Sequence, residues 1–250
     1  MYPIAVSMCF MAILGMAVAT DYCSSSLCGG STHIACGNNG QFASSCPSNA
    51  ALVDINPYKS YILDYHNEKR NLIAGGTVAN HDAACRMATT QWDDELAKLA
   101  ALNVRQCKMA HDKCRNTDTF HYAGQNLAYR TYSGSPKYEE LLKITMDMWY
   151  DEVSLSNMGY INSYPSAGVG IGHFTVMVNE KNIRVGCAAA TYGTSKQTFL
   201  IACNYARTNV ATLPTYTSCG TPGSSCASGK NSKYPNLCSE SESYDPNNLS

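Results

Sequence analysis

Thirteen cysteines constrain this 250-residue chain more than any other feature, because removing a leader that carries the first leaves twelve. An even number suits a protein cross-linked in an oxidising compartment. The leader is an apolar run from Val6 to Val18 that ends in Ala17-Val18-Ala19, a small-residue cleavage pattern. Residues 1–19 are therefore predicted to be a secretory signal peptide, with Cys9 lost on cleavage. A membrane anchor is the competing reading, but the run is shorter than the roughly 20 apolar residues a spanning helix needs, and no later segment is longer. The first four cysteines of the remainder, Cys23, Cys28, Cys36 and Cys46, invite a metal-cluster reading. Their spacings of 5, 8 and 10 lack the paired knuckles of a structural zinc site, so disulfides are expected, with a pairing that spacing alone does not fix.

Hydrophobic residues make up 45% of the chain, enough for a packed core. With 18 basic against 19 acidic residues and no run of like charge, nothing marks a nucleic-acid surface or an anionic-membrane surface, so neither nucleic acid nor membrane insertion is expected. From Asp21 to about Asn56 the chain is rich in Gly, Ser, Asn and Cys, and reads as an irregular segment held by disulfides. Asn56-Pro57 supplies an N-cap and a first-turn proline for a helix running to Ile73, stopped at Gly75-Gly76. A second helix is predicted over 93–105, where Leu96, Leu99, Ala100 and Val104 form one stripe, and a third over 138–152 on Leu141, Leu142, Thr145, Met148 and Trp149. Beyond it the period changes. Segments 168–178, 183–191 and 198–204 are short, rich in Val, Ile, Phe and Ala, and read as three strands. Helices followed by strands make an α+β layered domain. The tail after Pro214 is predicted to be tied by disulfides to about Cys238 and disordered after it.

Four segments carry the chemistry: His111-Asp-Lys-Cys-Arg-Asn116, Gly124-Gln-Asn-Leu-Ala-Tyr129, Trp149-Tyr-Asp-Glu-Val153 and Gly172-His-Phe-Thr175. Together with Gln106-Cys-Lys-Met-Ala110, His66-Asn67-x-x-Arg70 and Leu200-Ile-Ala-Cys-Asn-Tyr205 they resemble the CAP superfamily of cysteine-rich secretory, antigen 5 and pathogenesis-related 1 proteins, and within it the insect antigen 5 branch. The resemblance spans roughly residues 20–218. It implies a disulfide-rich three-layer α-β-α sandwich, the CAP fold, with a cysteine-rich segment at 20–56, a CAP domain at 57–218 and an extension at 219–250. It also implies the pairings Cys23–Cys36, Cys28–Cys114, Cys46–Cys107 and Cys187–Cys203, leaving Cys85, Cys219, Cys226 and Cys238 for two further bridges, of which Cys226–Cys238 is the more local. Two positions depart from the family signature: Val176 stands where Gln is usual and Asn179 where Trp is usual. Ala206-Arg-Thr-Asn209 also lacks the customary Gly.

Two imidazoles and a carboxylate, His111, His173 and Glu152, are a ligand set that zinc accepts, and the resemblance implies that they face one cleft. The family's second cleft glutamate is replaced here by Gln125, which removes a negative charge and a base, so cation binding should be weak and acid-base chemistry disfavoured. The same groups could equally satisfy one another by hydrogen bonding. A hydrolase needs a nucleophile set against a base, and neither a Gly-x-Ser-x-Gly elbow nor a His-Glu-x-x-His helix occurs. Thr175 beside His173 is read as structural, as is His66. No cofactor is required on this reading, and zinc is the one candidate. The expectation is a secreted, non-enzymatic antigen 5-like protein of insect saliva or venom, binding host proteins or small hydrophobic ligands and recognised by IgE as an allergen. A metal-dependent hydrolase and a lipid-mediator carrier are the alternatives, the carrier resting on Met146, Met148, Trp149 and Tyr150 as channel lining. Arg-Gly-Asp is absent from the loop 75–82 and from the whole chain, so integrin blockade by that tripeptide is unsupported.

Overall fold

The computed structural model describes residues 20–249, so the predicted leader lies outside the described residues. In chain order the elements are β1 (Ala51–Leu52), α1 (Lys59–Ala74), β2 (Gln91–Trp92), α2 (Asp94–Val104), β3 (Gly124–Tyr132), α3 (Tyr138–Tyr150), α4 (Met158–Asn162), α5 (Gly172–Met177), β4 (Arg184–Tyr192) and β5 (Gln197–Tyr205). One sheet runs β1-β4-β5-β3, all neighbours antiparallel, and β2 adds a short parallel pairing to β4. Among the described residues no helix is long and apolar enough to cross a membrane.

Alternation along β4 and β5 shows why the sheet has helices on both faces. Cys187, Ala189, Phe199, Ile201 and Cys203 join the core beneath α1, α3 and α5, whereas Ala188, Ala190, Leu200 and Ala202 join Ala100 and Val104 of α2 on the other side. Strands buried on both faces read as continuous apolar runs, which is what made these two recognisable. The result is a three-layer α+β sandwich. On the α2 side the fit is close: a Cβ added to Gly186 would lie 2.2 Å from Ala97 N and 2.3 Å from Asp93 O. Asp93 caps that helix, its carboxylate accepting from Leu96 N at 2.8 Å.

Three local expectations are corrected. Asn56 is not an N-cap; Asn56–Tyr58 forms a 3-10 turn ahead of α1, and Asp54 accepts the Asn56 N–H at 3.1 Å. The segment 168–178 contains no strand: Gly172–Met177 is a six-residue helix, and Val176 and Met177, apolar enough for a strand, are buried in the core beneath it. The strand beside β5 is instead β3, which pairs with it from Gly124↔Tyr205 to Tyr132↔Gln197.

Arg70 holds α1 against its neighbours. Its side chain is fully buried and donates to three main-chain carbonyls: Nε to Ala88 at 3.0 Å, Nη2 to Ala88 at 2.7 Å, and Nη1 to Met177 and Asn179 at 2.8 Å each. Asn179 thus serves through its backbone, at a turn where its Oδ1 also accepts from Lys181 N at 3.0 Å.

Five disulfides join Cys23–Cys36, Cys28–Cys114, Cys46–Cys107, Cys187–Cys203 and Cys226–Cys238. Of the two further bridges expected, Cys226–Cys238 is formed, and Cys85 and Cys219 are not joined in this structure. The stretch after Cys238, expected to be disordered, is packed. Glu242 is 7% exposed and accepts from Arg86 Nε at 2.7 Å and from the N–H groups of Ala227 and Ser228. Arg207 Nη1 donates to Pro246 O at 2.9 Å, and Asn247 Oδ1 accepts from His121 N at 2.8 Å. Tertiary bonds order a segment that has no apolar periodicity.

Glu242 makes that order pH-dependent. Burial alone would raise its carboxyl, but the Ser228 and Ala227 N–H groups and Arg86 more than offset this and hold it below the usual carboxylate range. A group whose folded value is depressed stabilises above the unfolded value, about 4.3, and loses that contribution as pH falls through the folded value. Protection factors of residues 239–249, which correct for the slower intrinsic exchange in acid, should therefore be high at pH 6 and fall below about pH 4 before those of the sheet amides do. Unchanged tail protection down to global acid unfolding would disprove the linkage.

Candidate functional site

The sequence-predicted groups fall into two pairs. From the 3-10 turn Asp151–Leu155 that follows α3, Glu152 reaches α5 with both oxygens: Oε1 lies 2.6 Å from His173 Nδ1, while Oε2 accepts from His173 N at 2.8 Å and Phe174 N at 3.0 Å. Those two N–H groups belong to the first turn of α5, which has no cap side chain of its own, so Glu152 does the capping. An ionised carboxylate only accepts, so the His173 proton sits on Nδ1. The ring of His173 stacks at 6.4 Å on Trp149, whose Nε1 donates to Leu127 O at 2.9 Å and fixes α3 on β3. Asn126 Nδ2 donates to His173 O at 3.0 Å from the β3 side.

The second pair is His111 and Gln125. Gln125 Oε1 takes the His111 Nδ1 proton at 2.8 Å, while its Nε2 donates to Asp112 Oδ2 at 2.8 Å and to Asn204 Oδ1 at 2.9 Å. Asp112 is held in turn by Arg115 Nε at 2.8 Å and Asn103 Nδ2 at 2.9 Å. This gives Gln125 a physical reason. A glutamate in its place would set a second carboxylate against Asp112 without the amide's two donated bonds, and like charges at that range repel. Asp112, Asn103, Arg115 and Asn204 were not read as site residues from the sequence. The one available signal was Asp112, adjacent to His111 and three residues before Arg115.

The three donors predicted for zinc do not converge into a ready site. The donor atoms of His111, Glu152 and His173 are not all within 4.8 Å of one another, and the one such cluster among the described residues, Cys28, His33 and Cys114, contains a disulfide. Because both Glu152 oxygens are taken, nitrogen ligation is what the chemistry here fits: each imidazole is fixed through Nδ1, the orientation that leaves Nε2 as the ligating atom. His111 and Asp112 line an open cavity of about 720 Å³ whose far wall is the loop 32–39.

The channel lining expected from α3 is corrected. Met146 and Tyr150 are core residues and Trp149 is 1% exposed with its indole N–H bonded, whereas Met148 points outward at 49% exposure. Helical phase separates these neighbours onto different faces. Thr175 is likewise on a helix, donating its hydroxyl to Ile171 O at 2.8 Å, and His66 is buried between Ile62 O and Tyr205 OH at 2.8 Å each. Burial drives the His66 imidazole down to about 4, a neutral core histidine.

Residues 63–205 match the model of the CAP family, described as the cysteine-rich secretory protein family. Venom allergen-1 of Aedes albopictus is 40% identical over 235 residues, which cover 90% of this chain and 91% of that protein. Antigen 5 like allergen Cul n 1 of Culicoides nubeculosus is 38% identical over 199 residues, covering 74% and 90%. Among solved structures, that of NaASP2 with Zn2+ superimposes with a TM-score of 0.63 at 24% identity, over 78% of this chain and all of that one.

Proposed function

Since the chain belongs to the CAP family, we propose that it is an extracellular antigen 5-like protein of insect saliva or venom that acts by binding and not by turnover. The observation that carries this reading is the state of its polar groups: both Glu152 oxygens, the His173 and His111 Nδ1 protons and the Gln125 amide are committed to one another, to Asp112 and Asn204, and to the backbone. A general base must be able to accept a proton from substrate or water, and Glu152 would have to give up its bond to His173 Nδ1 at one oxygen or the first turn of α5 at the other to do so. Five disulfides in a chain this size suit an oxidising compartment and leave ten cysteines unable to act as nucleophiles. Relatives named as venom allergens support recognition by IgE. Host proteins or small hydrophobic molecules are the proposed ligands.

Weak zinc binding belongs to the same reading. The Nε2 atoms of His111 and His173 would hold the ion, which would supply cross-linking charge between the two pairs. With Glu152 engaged elsewhere the donor set falls short of the three ligands typical of catalytic zinc. Native mass spectrometry of protein purified gently from its source tests the binding reading. A mass above that of the disulfide-linked polypeptide, released on denaturation, is expected; a bare polypeptide mass that stays bare after incubation with host plasma and a fatty-acid panel would reject it.

A further inference from the structure

After α1 the segment 83–89 runs alongside the carboxyl-terminal extension. Ala84 and Ser218 form an antiparallel bridge, flanked by Cys85 N donating to Thr217 O and Cys219 N donating to Ala83 O, both at 2.9 Å. Cys85 and Cys219 each follow a bridge residue, so their side chains leave the same face of this short ribbon. The thiols are in hydrogen-bond contact with each other. Cys85 is buried, while Cys219 is half-buried on the wall of an open groove of about 410 Å³ shared with Gly75, Asp82 and Pro222. Its Sγ also lies 3.3 Å from Ser224 Oγ and 3.2 Å from Thr221 O. The other ten cysteines of the described chain are already bonded.

We propose that Cys85 and Cys219 close as a sixth disulfide that staples the extension to the loop after α1. The oxidant is a disulfide of the secretory compartment, such as oxidised glutathione, entering by the groove. Cys219 thiolate attacks one of its sulfurs, forming a mixed disulfide and expelling one thiolate. Cys85 then gives up its proton and attacks Cys219 Sγ, forming the Sγ–Sγ bond and expelling the second. Two protein thiols are oxidised and one external disulfide is reduced to two thiols. The order follows from environment. Burial and the Cys219 contact push the Cys85 thiol up to about 11, whereas at Cys219 the bonds to Cys85 and Ser224 outweigh burial and lower it. The groove also gives only Cys219 a route to solvent.

The inference rests on the extracellular reading, and one experiment separates the two. Full-length secreted protein is denatured without reductant, alkylated with iodoacetamide, digested and mapped by mass spectrometry. The expected result is no alkylated cysteine and a linked peptide pair joining Cys85 to Cys219. Five intact bridges with Cys85 and Cys219 both alkylated, or either joined to another cysteine, overturn the sixth bond alone. Twelve alkylated cysteines overturn both it and the extracellular reading. In the folded variants, Cys85→Ser should gain one thiol that reacts readily with a disulfide reagent and Cys219→Ser one that reacts only after unfolding; no gain over wild type in either would also overturn the bond.

Discussion

Arg70→Met should lower the melting temperature by roughly 6–20 °C, corresponding to a loss of about 3–5 kcal/mol at about 2–4 °C per kcal/mol for a domain of this size. Methionine replaces the aliphatic stem but not the guanidinium and donates nothing, so the buried carbonyls of Ala88, Met177 and Asn179 lose their partner. Each unpaired buried acceptor costs about 1–3 kcal/mol, and releasing the guanidinium from burial returns part of that. The penalty on the charge is visible in the arginine itself, whose value burial drives down to about 10, still cationic at neutral pH. Because the three carbonyls lie on the segment after α1 and on the end of α5, the variant should loosen both together. Scanning calorimetry gives the answer, and a fall of less than about 2 °C would mean that the carbonyls find other donors.

Glu152→Ala should be the second most damaging change, costing about 2–4 kcal/mol or roughly 4–16 °C. It removes the acceptor for His173 Nδ1 and leaves two first-turn N–H groups of a six-residue helix, those of His173 and Phe174, uncapped. A helix that short has little stability of its own and depends on such tertiary bonds. Glu152→Gln keeps one acceptor oxygen and should lose less than half as much. Equal melting temperatures for wild type and both variants would show that Glu152 does not hold α5.

These two residues also mark the limit of what the sequence discloses. β4 and β5 were legible because burial on both faces writes an unbroken apolar run, and α2 because Asp93 and the Leu96–Val104 stripe signal its start and face locally. α5 was misread as a strand because Phe174, Val176 and Val178 favour β structure by themselves, while the cap that makes the segment helical comes from Glu152, 20 residues before Gly172. β3 begins with Gly124-Gln125-Asn126, polar groups whose burial depends on His111, Asp112 and Asn204, none adjacent in the chain. The ordered tail fails in the same way, since its partners Arg86, Arg207 and His121 lie far upstream. Of the site, the motifs identified His111, Gln125, Glu152 and His173; the pairing that commits Glu152 to the backbone was not readable from them.

Turnover of peptide and ester substrates by the pure protein, measured with zinc added and with zinc chelated, tests the central claim that the cleft residues hold the structure and do not react. The account predicts no turnover above the buffer rate in either condition. Zinc-dependent hydrolysis by wild type that disappears in a folded His173→Ala variant would contradict it.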